Sequence, residues 1–546
     1  MNDSDPKLGA EASESNVLGG TSATLHAYPS LALDPDGEGF WARIDRWSER
    51  VTAWLNPILL KEARQSLKSK QFLVTFFCLL VASCAWTMMG IIFNAPDVYF
   101  LPTGDTMMIG YFLILSISLF AFVPLFAFRS LAAELDEGTY EMLAITRLSA
   151  WGIVTGKMNS SVLQMLIYFS AIVPCLAFCY LLRGIGLPTI ALVIAIAFIT
   201  ALVLTAFALM LSTLAQGRTL QTFLLVGLIA VIGFVEFGCC GIVFSAVLTD
   251  QWSGTWFGFL SGFLMAGSFV VLFLAAASAR IAPITENRST RLRAILFGQQ
   301  VLWIMMLSYA TWTVDEVEII QLGMMALGIF WFVVGVFTCG ESVELSPRVR
   351  RGLPATYLTR MLFTWWMPGP GTGFMFVVST ALSGLIVMTG VGQIAEAWHV
   401  RRAPDTLSVY FAAMMAGYLL AYLGTVRLLA MPFLKRFGPS FIPPLAAALV
   451  VVFAAVIVPA TVDVALHGEI QSDYTVVHAF DWMWTWDQAL SSGGLSRVIA
   501  LLILAVGVLI LCVNLISLFR EFRRRRIAIP TRVIQDREAA AAPDPV

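Results

Sequence analysis

Charge is scarce in this sequence. Only 13% of its 546 residues are Asp, Glu, Lys or Arg, about half the share of a soluble domain, while 58% are hydrophobic. Histidine is scarcer still. His26, His399, His467 and His478 are the full set, and none falls within a long apolar run, which leaves little for an imidazole proton relay inside a membrane. A phosphate cradle is missing too. It requires Gly, four residues, Gly-Lys and then Ser or Thr, because backbone amides wrap the phosphates and the hydroxyl binds magnesium. The nearest approach, Gly152-Ile-Val-Thr-Gly-Lys-Met158, is one residue short and ends in Met, and Gly369-Pro-Gly-Thr-Gly373 has no Lys. There is no Gly-x-Ser-x-Gly nucleophile motif and no His-Glu-x-x-His helix. The expectation is a chain that is no enzyme, with no catalytic residue and no cofactor of its own. A net charge of −1 points away from nucleic acid as a partner.

What is present is a series of apolar runs of about 20 residues, the length that crosses the hydrocarbon of a bilayer. Twelve spans are expected: 72–93, 108–130, 159–182, 188–214, 219–248, 255–279, 295–313, 318–339, 373–392, 407–430, 439–461 and 498–519. The fold class is thus all-α, a polytopic helical membrane protein. With the N-terminus in the cytoplasm, only Arg183, Arg401, Arg402 and Arg497 of 34 Lys and Arg fall on the outer side. Segments 94–107, 249–254 and 314–317 carry acidic residues and no Lys or Arg. This alternation obeys the positive-inside rule and places both termini in the cytoplasm. A multi-pass protein of the plasma (inner) membrane is expected, with the lipid bilayer as its surrounding.

All eight cysteines lie in predicted spans and read as small apolar residues, with no disulfide framework and no metal-ligand set. Residues 1–40 are polar and lack apolar periodicity, so they read as a disordered tail without a cleavable signal. Residues 527–546 read as a second flexible tail. Between the tails, 41–280 holds six spans and 281–526 holds six more, with no internal repeat relating them.

The stretch between spans two and three carries the most functional information. It runs Glu134-Leu-Asp-Glu-Gly-Thr-Tyr-Glu-Met-Leu-Ala-Ile-Thr-Arg-Leu-Ser-Ala-Trp-Gly-Ile-Val-Thr-Gly-Lys157. It reads as an acidic amphipathic helix with Gly138 inside it, at a cost of about 1 kcal/mol relative to Ala. A second polar element precedes the first span. Asn56-Pro57 is a helix-start signal, followed by an amphipathic run with Lys61, Glu62 and Arg64 on its polar face, suited to the headgroup plane.

These two elements resemble the coupling region and the opening connecting helix of ATP-binding-cassette (ABC) transporter permeases of the type-2 exporter class. The resemblance covers the first half of the chain. It rests on Glu134, Glu137, Gly138, Thr139, Glu141, Leu143, Leu148, Ser149, Ile153, Gly156 and Lys157, and more loosely on 56–72; Arg147 stands where that class usually has Pro. It implies a permease subunit driven by a separate ATPase that docks on 134–157 and itself binds ATP and magnesium. It also implies a second copy of the permease or a paralogue, and export as the direction. Glu134, Glu137, Gly138, Thr139, Glu141, Gly156 and Lys157 would then couple to the ATPase, with Asn56, Pro57, Lys61, Glu62 and Arg64 beside them.

From the residues alone, plainer readings stay open: a solvated acidic loop for 134–141, and an interfacial anchor for 56–70. Glu236-Phe-Gly-Cys-Cys-Gly241 is expected to interrupt the fifth span. Glu236 then either lines a translocation path or sits at the outer interface, since a charged carboxylate at a span centre costs about 2.5–3.5 kcal/mol. Met367-Pro-Gly-Pro-Gly-Thr-Gly373 reads as a rigid turn into span nine. The outer segment 462–497, with Asp463, His467, His478, Trp482, Trp484 and Trp486, reads as an aromatic belt or as a lip that captures substrate. Two rival functions are a membrane anchor or assembly protein that transports nothing, and, less favoured, an ion-coupled secondary transporter.

Overall fold

A computed structural model describes residues 65–93, 101–138, 149–215, 217–249, 256–283, 288–314, 318–341, 364–399, 407–438, 440–468, 474–491 and 497–524, with isolated positions such as Glu62. The described helices are α1 (Lys70–Phe93), α2 (Gly104–Asp136), α3 (Ala150–Leu181), α4 (Leu187–Ser212), α5 (Arg218–Thr249), α6 (Trp256–Ile281), α7 (Ser289–Val314), α8 (Glu318–Cys339), α9 (Pro370–His399), α10 (Leu407–Phe437), α11 (Ile442–His467), the short α12 (Trp482–Ser491) and α13 (Arg497–Arg524). Twelve of them, all but α12, are long and apolar enough to cross a membrane. There is one for each expected span and no strand among the described residues. Helices are the outcome because a segment in hydrocarbon must satisfy its own backbone amides and carbonyls. The outside of the bundle is accordingly apolar: Phe77, Phe93, Phe234, Phe237 and Leu509 are all more than half exposed, a surface that fits lipid rather than water.

The buried side chains form two large clusters and a small one. The first lies among α1 to α5 around Tyr111, Leu119, Phe128 and Tyr168. The second lies among α6 to α11 and α13 around Trp331, Phe374, Met414 and Leu423. The small one, with Leu131, Val154, Leu209 and Ala277, is built by α2, α3, α4 and α6. α6 therefore packs on both sets of helices.

The ends of α2 and α3 differ from expectation. α2 continues past residue 130, so that Glu134 and Asp136 occupy its last turn. It stops at Glu137–Gly138, where Gly138 takes a φ of +68°, a left-handed conformation that glycine adopts without steric cost. Gly138 thus ends a spanning helix and is not inside an acidic one. α3 starts at Ala150 rather than 159, and its cap is Ser149, whose Oγ accepts from the Gly152 amide at 3.1 Å.

The fifth span shows a second difference. α5 runs unbroken through Glu236–Gly241. Each glycine there costs a helix only about 1 kcal/mol, less than leaving backbone groups unpaired in lipid. The irregularity is in α2, where Ile117–Phe122 is a π-helical turn and the Val123 amide reaches back to the Ser118 carbonyl. Pro124 follows directly. It has no amide hydrogen and its ring crowds the preceding turn, so the widened turn accommodates it.

α10 and α13 run parallel and touch backbone to backbone. A Cβ at Gly507 would lie 2.5 Å from the Gly417 carbonyl oxygen, and one at Gly417 would lie 2.8 Å from the Ile503 oxygen. Small residues at such crossings let helices in lipid approach closely.

Candidate functional site

Lys157 is the centre of the candidate site. Its apolar neighbours on α3 pack into the bundle and leave the ammonium 4% exposed. Three segments converge on it. Nζ donates to Glu134 Oε1 at 2.8 Å and to Ser130 Oγ at 2.9 Å, both from α2. It also donates to Glu62 Oε1 at 3.3 Å, from the segment that precedes α1. Ser130 and Glu134 share a face of α2 because they are four residues apart. A second contact, Ser66 Oγ to Ser160 Oγ at 3.4 Å, fastens the same segments one turn further along α3. Two carboxylates and a hydroxyl around one ammonium make a charge-assisted set, stronger than neutral hydrogen bonds. The end of α3 is further held by the Arg291 guanidinium, 4.2 Å from the centre of the Trp151 ring.

Outward from this brace, Asp136, Glu137 and Gly138 are exposed. Gly156, beside Lys157, is buried. The candidate coupling residues therefore divide: Glu134, Gly156 and Lys157 belong to the interior junction, and Glu137 and Gly138 to the tip. Thr139 and Glu141 lie outside the described residues, as do Asn56, Pro57, Lys61 and Arg64, residues 1–40, and 527–546 apart from Val533. The arrangement ties three segments, α2, α3 and that of Glu62, to one ammonium.

Glu236 is half-buried midway along α5, where it accepts a hydrogen bond from Ser116 Oγ. Ser116 immediately precedes the π-helical turn of α2. Cys240 Sγ lies 3.8 Å from the same carboxylate oxygen.

Three polar junctions in the second half escape the sequence reading. Arg293 of α7 is 1% exposed, pairs with Glu341 Oε2 at 2.6 Å, and donates to the Trp365 and Met367 carbonyls. Glu341 in turn accepts the Gly369 amide at 2.6 Å, so the pair clamps the Pro/Gly turn that leads into α9. Arg427 of α10 donates to Asn514 Oδ1 of α13 at 3.0 Å and stands 5.2 Å from the Phe374 ring centre. An Arg within one span and an Asn within another were the available signals.

The third junction joins segment 474–491 to α11. Asp463, expected in a loop, is in the last turns of α11 and is buried. Its Oδ2 lies 2.6 Å from Nε2 of the fully buried His478. His478 Nδ1 accepts the Thr475 amide at 2.9 Å, which puts the ring proton on Nε2 and leaves no free lone pair. The residues around it dock on α10, where Tyr418 OH donates to the Ala479 carbonyl at 2.8 Å and Tyr422 OH to that of Phe480. Asp481 Oδ1 caps α12 through the Met483 amide at 2.9 Å. Tyr474, hydrogen-bonded to Thr485 Oγ1 at 2.8 Å, has its phenol pushed above the usual tyrosine range by burial.

Comparison with family models and with curated proteins finds no match for the chain.

Proposed function

We propose that this chain is the membrane-spanning permease subunit of an ABC-type exporter, powered by a separate ATPase that binds ATP and magnesium. One observation carries the reading. Glu62, Glu134 and Lys157, which carry the family resemblance from distant points of the sequence, meet at a single buried ion cluster, with the acidic Glu137 exposed just beyond it. In this reading the tip at Glu137 and Gly138, with Thr139 and Glu141 following in the chain, enters a groove of the ATPase. Closure of the ATPase pushes the tip, and the Lys157 brace turns that push into rotation of α2 and α3. The Lys157 end of the bundle then faces the cytoplasm of the plasma (inner) membrane, as the distribution of basic residues requires. A second permease copy or a paralogue completes the assembly, and Glu236 lines the path.

The test is purification of the wild-type chain in detergent beside a Glu137→Lys/Glu141→Lys variant, with mass-spectrometric identification of bound proteins. An ABC-type ATPase that accompanies wild type and is lost from the variant supports the proposal. If no ATPase is recovered even after cross-linking, the chain has no motor and a non-transporting anchor replaces this reading.

A further inference from the structure

Gln299 and Gln300 are adjacent on α7 and both buried, yet they differ in one respect. Gln300 is bonded at both ends of its amide: Oε1 accepts from Trp331 Nε1 at 2.6 Å and Nε2 donates to the Thr380 carbonyl at 2.9 Å. Gln299 is 4% exposed, and neither its Oε1 nor its Nε2 has a hydrogen-bond partner among the described residues. The same holds for the buried indole nitrogen of Trp303, one helical turn further on. All three residues line a cavity between α6, α7 and α8, whose wall is completed by Met265, Phe269 and Phe330.

The position makes these orphaned atoms informative. Gln299 lies four residues into the apolar run 295–313, about 6 Å from its start at a rise of about 1.5 Å per residue, within a hydrocarbon layer about 30 Å thick. Its amide atoms and the Trp303 indole nitrogen are shielded from solvent, so they require a bound partner. Size and charge then define the partner. The space for the centre of a water-sized sphere is about 10 Å³, which admits roughly one oxygen atom. No charged side chain lines the cavity, which disfavours an ionic head group. The orphaned set is two donors, the amide and indole N–H groups, and one acceptor, the amide carbonyl. A hydroxyl is the complement, with two lone pairs and one proton. Met265, Phe269 and Phe330, in the same lining, are only partly buried and offer an adaptable apolar wall.

We propose that this cavity binds a hydroxyl group within the helix bundle, supplied either by a membrane-soluble alcohol whose apolar body lies against Met265, Phe269 and Phe330, or by a single water. The site is independent of any ATPase partner. The test uses the full chain in lipid nanodiscs and a long-chain alcohol bearing a diazirine, with photolabelled peptides mapped by mass spectrometry. An alcohol site gives labelling on the α6, α7 and α8 walls that 1-dodecanol competes and dodecane does not. Gln299→Leu, close in size, and Trp303→Phe each lower it about tenfold, the worth of one hydrogen bond, with wild-type elution as the control for folding. If labelling is absent but a high-resolution map holds isolated density about 2.9 Å from the Gln299 amide, water is the source and the hydroxyl assignment stands. Labelling that is absent or indifferent to both substitutions, with no density beside the Gln299 amide, overturns the proposal.

Discussion

Lys157 Nζ lies 2.8 Å from Glu134 Oε1, so the two spanning helices that flank the acidic stretch are locked together at the point where it begins. The ammonium is almost wholly buried, and its partners retain some solvent contact. Removing one member of such a set leaves buried charge without its counter-charge. Lys157→Met is expected to cost about 3 kcal/mol, read as a lower temperature for half-loss of the monodisperse peak in detergent. Adding Glu134→Gln should restore part of it. A single variant as heat-stable as wild type would remove the brace from the argument.

Glycines that separate helix backbones differ in consequence from glycines that face lipid. Gly507→Leu drives a side chain into the Gly417 carbonyl, and overpacking of this kind costs about 1–3 kcal/mol or more. Gly390, in α9, has nothing within 4 Å of an added Cβ. Gly390→Ala should be neutral or stabilise by about 1 kcal/mol. The same thermal measurement ranks the two, and equal effects would contradict the tight packing of α10 against α13.

Segment 474–491 has a pH dependence of predictable sign. Burial raises the Tyr474 phenol above its unfolded value, so the folded segment favours the neutral form. That contribution is complete below about pH 10, the ordinary phenol value, and is lost as pH rises through the elevated one. Protection of 474–491, taken relative to the base-catalysed intrinsic exchange rate, should therefore fall from about pH 10 upward in wild type. In Tyr474→Phe this loss should be smaller, and an unchanged loss would assign it to another group, such as Tyr418 or Tyr422, which bond the same segment.

The Arg293–Glu341 pair predicts a local rather than a global effect. Arg293→Met removes the donors to the Trp365 and Met367 carbonyls. Amide exchange across 364–373 should speed up, with α10 and α13 unaffected. Glu341→Gln should give a milder form, because its side-chain oxygen can still accept the Gly369 amide. Protection unchanged in both variants would show that the turn holds itself.

The twelve spans were legible because hydropathy over about 20 residues is a strong and local signal. Helix ends were less so. α2 and α3 carry Glu134 and Lys157 beyond the apolar runs, and those charges are tolerated only because they meet each other, a fact of tertiary structure. Glu236-Phe-Gly-Cys-Cys-Gly241 looked like a break because glycine propensity was read without the membrane's demand for paired backbone. Asp463 looked like a loop residue because its partner, His478, is 15 positions away. Around Lys157 the sequence reading named Glu62 and Glu134 but neither Ser130 nor the burial of Lys157, which separates an inner junction from the exposed Glu137.

The parallel packing of α10 and α13 sets an order on biosynthesis. Asn514 reaches the Gly424 carbonyl across 90 residues of chain, and Arg427 has Asn514 as a partner. A ribosome that has released α10 must still deliver α11, segment 474–491 and α13 before the guanidinium meets that partner. During this interval Arg427 has Phe374 of α9 beside it but not Asn514, and the glycine face of α10 has not met α13. A chain cut short before Arg497 forms neither contact.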